Sequence, residues 1–243
     1  MRDRARLSHC LQLLQTAENI AELHQAIFHI RDFYDLLHLV FHLVRLGDRP
    51  GEHPLFLLTY PTEWVDLYVK RNYFVIDPVV ELNRSGFLPV DWSCLDHTSA
   101  KTIGFFKEAD SYGIGRRGVT IPVRGPRGER SLFTATSNLA EPEWSELRQD
   151  CMGDLQILSH YVHDRALSLS GLRDDRSYRE LSQREKQCLE LLARGLMPKQ
   201  IGPVLQISES AVRLYLRSTK QKLRVATTAQ AIAKAATLEM IHG

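Results

Sequence analysis

Apolar positions in the first 166 residues follow two different periods. Spacings of three and four residues predict helices over 3–30, 61–70, 98–112 and 142–167. Alternating or β-rich apolar runs predict strands over 37–46, 55–59, 118–124 and 130–137. Gly125-Pro126-Arg127-Gly128 joins the last two strands with proline at the second position and glycine at the fourth, a type I turn signature. Helices before and after a mostly antiparallel sheet predict an α+β domain, an α/β/α sandwich.

The pattern changes after residue 167. The stretch 168–180, SLSGLRDDRSYRE, is polar, of mixed charge and without helical period, and reads as a linker between a domain over 1–167 and one over 181–243. In the second domain Ser182 and Glu185 fit a capping box, each satisfying a backbone N–H of the other's turn. Leu189, Leu192 and Ala193 continue an apolar helix face, and Gly195 ends it. A short helix follows from Pro198 to Leu205. Its interior Pro203 removes a hydrogen bond and can bend the helix. Gln206-Ile207-Ser208 makes a turn, with Ser208 capping a third helix to about Leu223, and a fourth runs from about Thr228 to Ile241. The expected architecture is an all-α, four-helix helix-turn-helix domain.

On the third helix Val212, Leu216, Thr219 and Leu223 share the inward face. Arg213, Arg217 and Lys220 project together from another, as a recognition helix needs to reach phosphates and guanine edges. Ser210, in the first turn, joins them as a candidate DNA contact. A solvated basic face is the plain alternative, but the preceding short helix and tight turn favour recognition. Charge sharpens this picture. The whole chain is nearly neutral, at +2. Residues 177–243 hold 11 Lys and Arg against 5 Asp and Glu, a net of +6, whereas 1–176 carry 20 against 24, a net of -4. A basic module of this size points to nucleic acid.

In the first domain the informative segment is TYPTEWVDLYVKRNYFVIDPVV, residues 59–80. Trp64 and Tyr68 lie one helical turn apart, and Pro78 forces Asp77 towards an extended backbone. Aromatics at this spacing are usually core. An aspartate between Val75-Ile76 and Val79-Val80 wants a partner, because a lone buried carboxylate is costly.

Residues Leu181 to Ala235 resemble the DNA-binding domain of LuxR-type transcription regulators through Leu181, Arg184, Glu185, Leu189, Gly195, Ile201, Leu205, Ile207-Ser208-Glu209, Val212, Leu216, Lys222, Leu223 and Ala229-Gln230-Ala231. Ala211, Tyr215 and Gly202-Pro203 depart from that pattern. The first domain is similar to the autoinducer-binding domain of the same family, through Tyr60, Trp64, Tyr68, Asp77, Pro78, Trp92, Gly118 and Thr134, in order. The resemblance implies a quorum-sensing regulator that binds an N-acyl-homoserine lactone and acts as a homodimer on a pseudo-palindromic operator. In that reading the Trp64 indole N–H serves the lactone carbonyl and Asp77 the ligand amide N–H. Tyr60 and Thr134 offer hydroxyls to the acyl carbonyl, while Tyr68, Val79, Trp92 and Phe105 wall the ring and tail. A stripe from Trp144 to Leu169, with Leu147, Cys151, Leu155, Leu158 and Val162, either covers the sheet or, by the family implication, contributes to the dimer. A regulator answering a non-lactone ligand, or none, is the alternative.

Other classes fit poorly. Cys10, Cys94, Cys151 and Cys188 are scattered, as expected of free thiols in the cytoplasm, and no secretion signal or membrane-spanning apolar run is read. His38 and His42 are expected on one face of a strand, and His160 and His163 are three apart, but no cluster completes a metal site. No cofactor motif and no nucleophile–base pair appears, so the chain is not read as an enzyme.

Overall fold

The computed structural model describes residues 2–46, 55–126, 128–172 and 179–241. The chain divides into two compact units, the larger drawn from residues up to Leu172 and the smaller mostly from those after it.

The larger unit opens with α1 (Arg2–Thr16) and α2 (Ile20–Phe33), not the single helix expected over 3–30. The apolar spacing continues across the break, but Asn19 takes an extended backbone and its side chain accepts from the Glu22 N–H. A local cap therefore ends the first helix, and in one continuous helix the buried Leu23, Ile27 and Ile30 would fall roughly opposite the buried Cys10 and Leu14. Strands β1 (His38–Arg45) and β2 (Leu55–Leu58) follow, then α3 (Thr62–Lys70). A 3₁₀ turn (Tyr73–Val75) leads into α4 (Pro78–Ser85), which the sequence reading did not contain. The two-residue β3 (Val90–Asp91), a second 3₁₀ turn (Trp92–Cys94) and α5 (Ala100–Ser111) come next. Then follow β4 (Arg117–Arg124), β5 (Arg130–Ser137) and the long α6 (Glu141–Leu169). Helix α6 includes Ser168 and Leu169, which the sequence reading assigned to the linker. Residues 173–178 of that linker, and Arg127 of the expected type I turn, lie outside the described residues.

The five strands form one antiparallel sheet in the order β2-β1-β5-β4-β3. Side chains alternate across it, so β1 sends Leu39, Phe41 and Leu43 to one face and Val40, His42 and Val44 to the other. The first set packs with α1, α2 and α6 in the main core. The α6 stripe of Trp144, Cys151, Leu155, Leu158 and Val162 is spent there, against the sheet. The second face is covered by the segment from α3 to α5, with a second, aromatic-rich cluster between them. This is the α/β/α sandwich expected, and helices on both faces explain why β1 is buried along nearly its whole length.

The smaller unit holds α7 (Gln183–Ala193), α8 (Pro198–Leu205), α9 (Glu209–Leu223) and α10 (Thr228–Thr237) around one apolar cluster. The Ser182–Glu185 capping box forms as read. Helix α8 continues through Pro203 to Leu205. Gly202 lies where α8 meets the turn. A Cβ there would sit 2.9 Å from the Ile207 carbonyl oxygen, so only glycine fits without a shift. Gln206 takes the left-handed conformation that reverses the chain into α9. Helix α10 ends at Thr237, short of the expected Ile241, and Glu239 there is also left-handed.

Candidate ligand cavity and DNA-facing helix

Between the sheet and α3–α5 lies a cavity. The structure brings all eight residues expected of a ligand site, Tyr60, Trp64, Tyr68, Asp77, Val79, Trp92, Phe105 and Thr134, onto its wall. Each arrives by a different local route. Trp64 and Tyr68 are one turn apart on α3, with ring centroids 5.9 Å apart and an edge-on geometry. Asp77 is the N-cap of α4: one carboxylate oxygen accepts from the Val79 N–H, and Pro78 occupies the first helical position. Trp92 begins the second 3₁₀ turn, which Asp91 caps. Asp91 is itself held by the Trp144 indole and by Arg148, 2.5 Å away.

The polar groups fall into two sets. One is already engaged. The second Asp77 oxygen accepts from the Tyr68 hydroxyl at 2.7 Å. The Trp92 indole donates to Thr120 at 3.0 Å, and Thr120 is 2.9 Å from the Thr134 hydroxyl. The register makes this chain possible, because Thr134 lies opposite both Thr120 and Val40 on the central strands. The other set is unengaged: no described residue pairs with the Trp64 indole N–H or the Tyr60 hydroxyl. Burial works to raise the Asp77 carboxyl, the Tyr68 and backbone hydrogen bonds oppose it, and the balance puts its pKa at about 6. Burial, then the neighbouring Asp77, pushes the Tyr60 and Tyr68 phenols well above the ordinary tyrosine range, so both remain protonated donors.

The wall extends well beyond the eight expected residues. Val40 and His42 from β1, Phe56 and Leu58 from β2, Leu132 from β5 and Phe74 before α4 also line the cavity. His42 stacks on Phe56 with centroids 4.3 Å apart. The period-2 alternation of β1 was the available signal. Gly118, part of the resemblance to the family, also has a steric role. A Cβ there would meet the Trp92 ring at 2.5 to 2.8 Å, so the indole lies directly on its backbone.

Of the paired histidines, His38, His42 and His163 are buried, and His42 lines the cavity. The two ring nitrogens of His38 lie 2.9 Å from the Thr59 carbonyl and 3.0 Å from that of Gly113. His163 is buried beside Ser131 at 2.8 Å, whereas His160 faces outwards. Among the described residues no group of three or more His, Cys, Asp or Glu is placed to hold a metal.

In the smaller unit, Ser208 caps α9 and Val212, Leu216, Thr219 and Leu223 are buried under it. Ser210, Arg213 and Arg217 are exposed, while Lys220 is only half-exposed. Arg213 is paired with Glu209 one turn back, at 2.6 Å. The buried Glu185 accepts from Ser218 and Lys222 of α9, each at 2.7 Å, and from the Ser182 N–H at 2.6 Å. The capping residue of α7 therefore also fastens α9.

Residues 19–166 match the model of the autoinducer binding domain, and residues 179–235 match that of the bacterial regulatory proteins of the luxR family. The chain belongs to the LuxR family of autoinducer-binding transcription regulators. Members of this family regulate transcription and are not enzymes. The transcriptional activator protein RaiR of Rhizobium etli is 57% identical over 185 residues, 76% of each chain. AhyR of Aeromonas hydrophila is 28% identical over 180 residues, covering 72% of this chain and 68% of its own. The crystal structure of Escherichia coli SdiA shares the fold over 98% of both chains, with a TM-score of 0.72 and 22% identity. The N-acylhomoserine lactone-dependent factor CepR2 of Burkholderia cenocepacia aligns with 68% of this chain and 98% of its own, with a TM-score of 0.56 and 25% identity. Among the described residues, no helix of this LuxR-family chain is long and apolar enough to cross a membrane.

Proposed function

We propose that this LuxR-type protein is a quorum-sensing regulator that binds an N-acyl-homoserine lactone in the cavity of its larger unit and controls DNA binding by its helix-turn-helix as a homodimer. One observation carries the reading. In a wall made mostly of apolar side chains, the Trp64 indole N–H and the Tyr60 hydroxyl have no partner among the described residues, and Asp77 and Thr134 line the same space. Two donors, an acceptor and a hydroxyl, set in aromatic walls, match the two carbonyls, the amide N–H and the tail of such a lactone. Trp64 donates to the lactone carbonyl and Asp77 accepts from the amide N–H. Tyr60 and Thr134 hold the acyl carbonyl. Tyr68, Val79, Trp92 and Phe105 enclose ring and tail. The lactone dependence of CepR2 supports the same ligand class.

The DNA-contacting set is Ser210, Arg213, Arg217 and Lys220, and the operator is a pseudo-palindrome read by two copies of α9. The inner stripe of α6 is buried in its own subunit, so the dimer contact falls to its outer face, where Ile157 and Tyr161 are 43% and 38% exposed. Residues up to Leu172 form the sensing domain and residues from Leu181 the DNA-binding domain, with the linker between them. Lactone completes the cavity's hydrogen bonding and packing, stabilises the state that it prefers and so sets the DNA-binding population. Such a regulator works in the cytoplasm, where the chromosome is.

The test is mass spectrometry of organic extracts from protein expressed with a panel of acyl-homoserine lactones. A retained lactone identifies class and tail length. An empty protein that binds DNA equally well overturns the ligand assignment and leaves a ligand-independent regulator.

A further inference from the structure

The exposed face of α9 carries one apolar side chain. Among residues 209–223, Glu209, Ser210, Arg213, Leu214, Arg217 and Gln221 are exposed, and Leu214 stands out at 65%. At about 100° per residue, Leu214 and Gln221 point within about 10° of the direction opposite the buried stripe, Ser210 within about 30° and Arg217 within about 50°. Arg213 and Lys220 fall about 90 to 110° to the side. Ser210, Leu214, Arg217 and Gln221 are thus spaced by four, three and four residues along one outward line, with Leu214 near its centre. A helix laid in the major groove by its cationic flanks presents this line to the base edges.

We propose that Leu214 reads the C5-methyl group of a thymine in each operator half-site. The inference rests on α9 being the recognition helix and adds a specificity determinant to it. A lone exposed leucine is ordinary on a protein surface, so its place decides its meaning. The base edges of the major groove present hydrogen-bond donors and acceptors, and the thymine methyl is their one apolar group. A leucine at the centre of the reading line therefore has one complementary target there, whereas opposite any polar edge group it would only remove water. Leu214 is absent from the apolar cluster that holds the domain together, so its side chain is not needed for folding. Arg217 is three residues on, about 5 Å along the axis. Its guanidinium can engage a phosphate or guanine within one or two base-pair steps and fix the register of the leucine.

The experiment starts from a random duplex library bound by the full-length chain expressed with the lactone panel. Each thymine of the enriched sequence is then replaced by deoxyuridine, which removes only the methyl group. Affinities are measured for the unaltered protein and for Leu214→Ala. At one thymine per half-site, deoxyuridine should cost the unaltered protein about fourfold per methyl buried and cost Leu214→Ala nothing. The variant should keep the same thermal midpoint. Tolerance of deoxyuridine at every thymine, or an equal loss in both proteins, overturns the proposal. So does loss of transcription in Leu214→Ala with unchanged affinity, which would assign the leucine to a protein partner. If no sequence is enriched, α9 is not a recognition helix, and the broader reading fails with the narrower one.

Discussion

The Tyr68 hydroxyl donates to the Asp77 carboxylate at 2.7 Å inside an aromatic-rich cavity. Asp77 is 9% exposed and also caps α4 through the Val79 N–H. The carboxylate therefore orders the cavity floor while keeping acceptor capacity, since an ionised carboxylate offers about four lone-pair sites.

Burial raises the Asp77 pKa to about 6 in the ligand-free cavity, and this predicts a pH-dependent affinity. An amide N–H on the ligand favours the ionised form, so binding must release a proton wherever Asp77 is protonated beforehand. Lactone affinity should be level above about pH 6 and fall below it, approaching tenfold per pH unit. The same shift has an opposite sign for folding. A carboxyl raised above its unfolded value makes the empty protein gain stability as pH falls from about 6 towards 4. Calorimetric titrations between pH 5 and 7.5 measure the first effect. Asp77→Asn should bind more weakly with a flat profile, and a variant as pH-dependent as the native chain would assign the proton elsewhere.

Gly118 and Trp92 give a second prediction. The indole lies where any side chain at 118 would be, within 2.5 to 2.8 Å of a Cβ. Gly118→Ala must push the ring into the cavity and break its bond to Thr120. Overpacking of this kind costs about 1 to 3 kcal/mol, and ligand response should fall further than Trp92→Phe makes it fall. Thermal melts with lactone dose-response curves separate the two effects. Unchanged behaviour in both would mean that the ring has room to move.

What was legible in the sequence was local. The Ser182–Glu185 box, the Ser208 cap and the inward stripe of α9 are each decided within one or two turns, and each is found where expected. The break after Thr16 is hidden because three-residue apolar steps run on through Leu14, Ala17, Ile20 and Leu23, although their drift around a helix and the Asn19–Glu22 cap both signal it. Asp77-Pro78 was read as extended chain. Asp77 is indeed extended, but the same two residues are also the cap and first position of α4. His42 is singled out in the sequence only as a metal candidate with His38, and only the pairing of β1 with β2, which brings Phe56 opposite it, places both on the cavity wall. The Trp92–Thr120–Thr134 chain was out of reach altogether, since strand register alone brings those hydroxyls together.

Glu185 yields a third prediction, for stability. Burial works to raise its pKa, but hydrogen bonds from Lys222, Ser218 and Ser182 outweigh that and hold it below the ordinary glutamate range. Its contribution is thus present at neutral pH and lost as pH falls through the depressed value. Glu185→Ala should destabilise the DNA-binding domain by about 2 to 3 kcal/mol, less than the ~3 to 5 kcal/mol of a fully buried pair because Lys222 keeps some contact with water. Lys222→Met should cost less, since Ser218 and Ser182 still serve the carboxylate. Denaturant unfolding of the full chain, followed in its C-terminal transition, measures both. Equal, negligible losses would mean that water replaces the pair at no cost.

The two arginines of α9 should not contribute equally to DNA binding. Arg213 is held by Glu209 at 2.6 Å in an exposed pair, so it brings little net charge until that pair opens. Arg217 is exposed, lies nearer the outward line and has no acidic partner among the described residues. Arg217→Ala should therefore lower operator affinity by about tenfold or more if it grips a base edge bidentately, with relaxed specificity at that position. If it meets a phosphate instead, the loss should be similar across sequences, and the slope of log affinity against log salt should shrink by about 0.9 for each charge removed. Arg213→Ala should show a smaller loss in either case, and Glu209→Gln should raise affinity by freeing Arg213. Fluorescence anisotropy titrations from 50 to 200 mM salt distinguish these outcomes. A larger loss for Arg213→Ala than for Arg217→Ala would show that the flank of α9, not its outermost line, enters the groove.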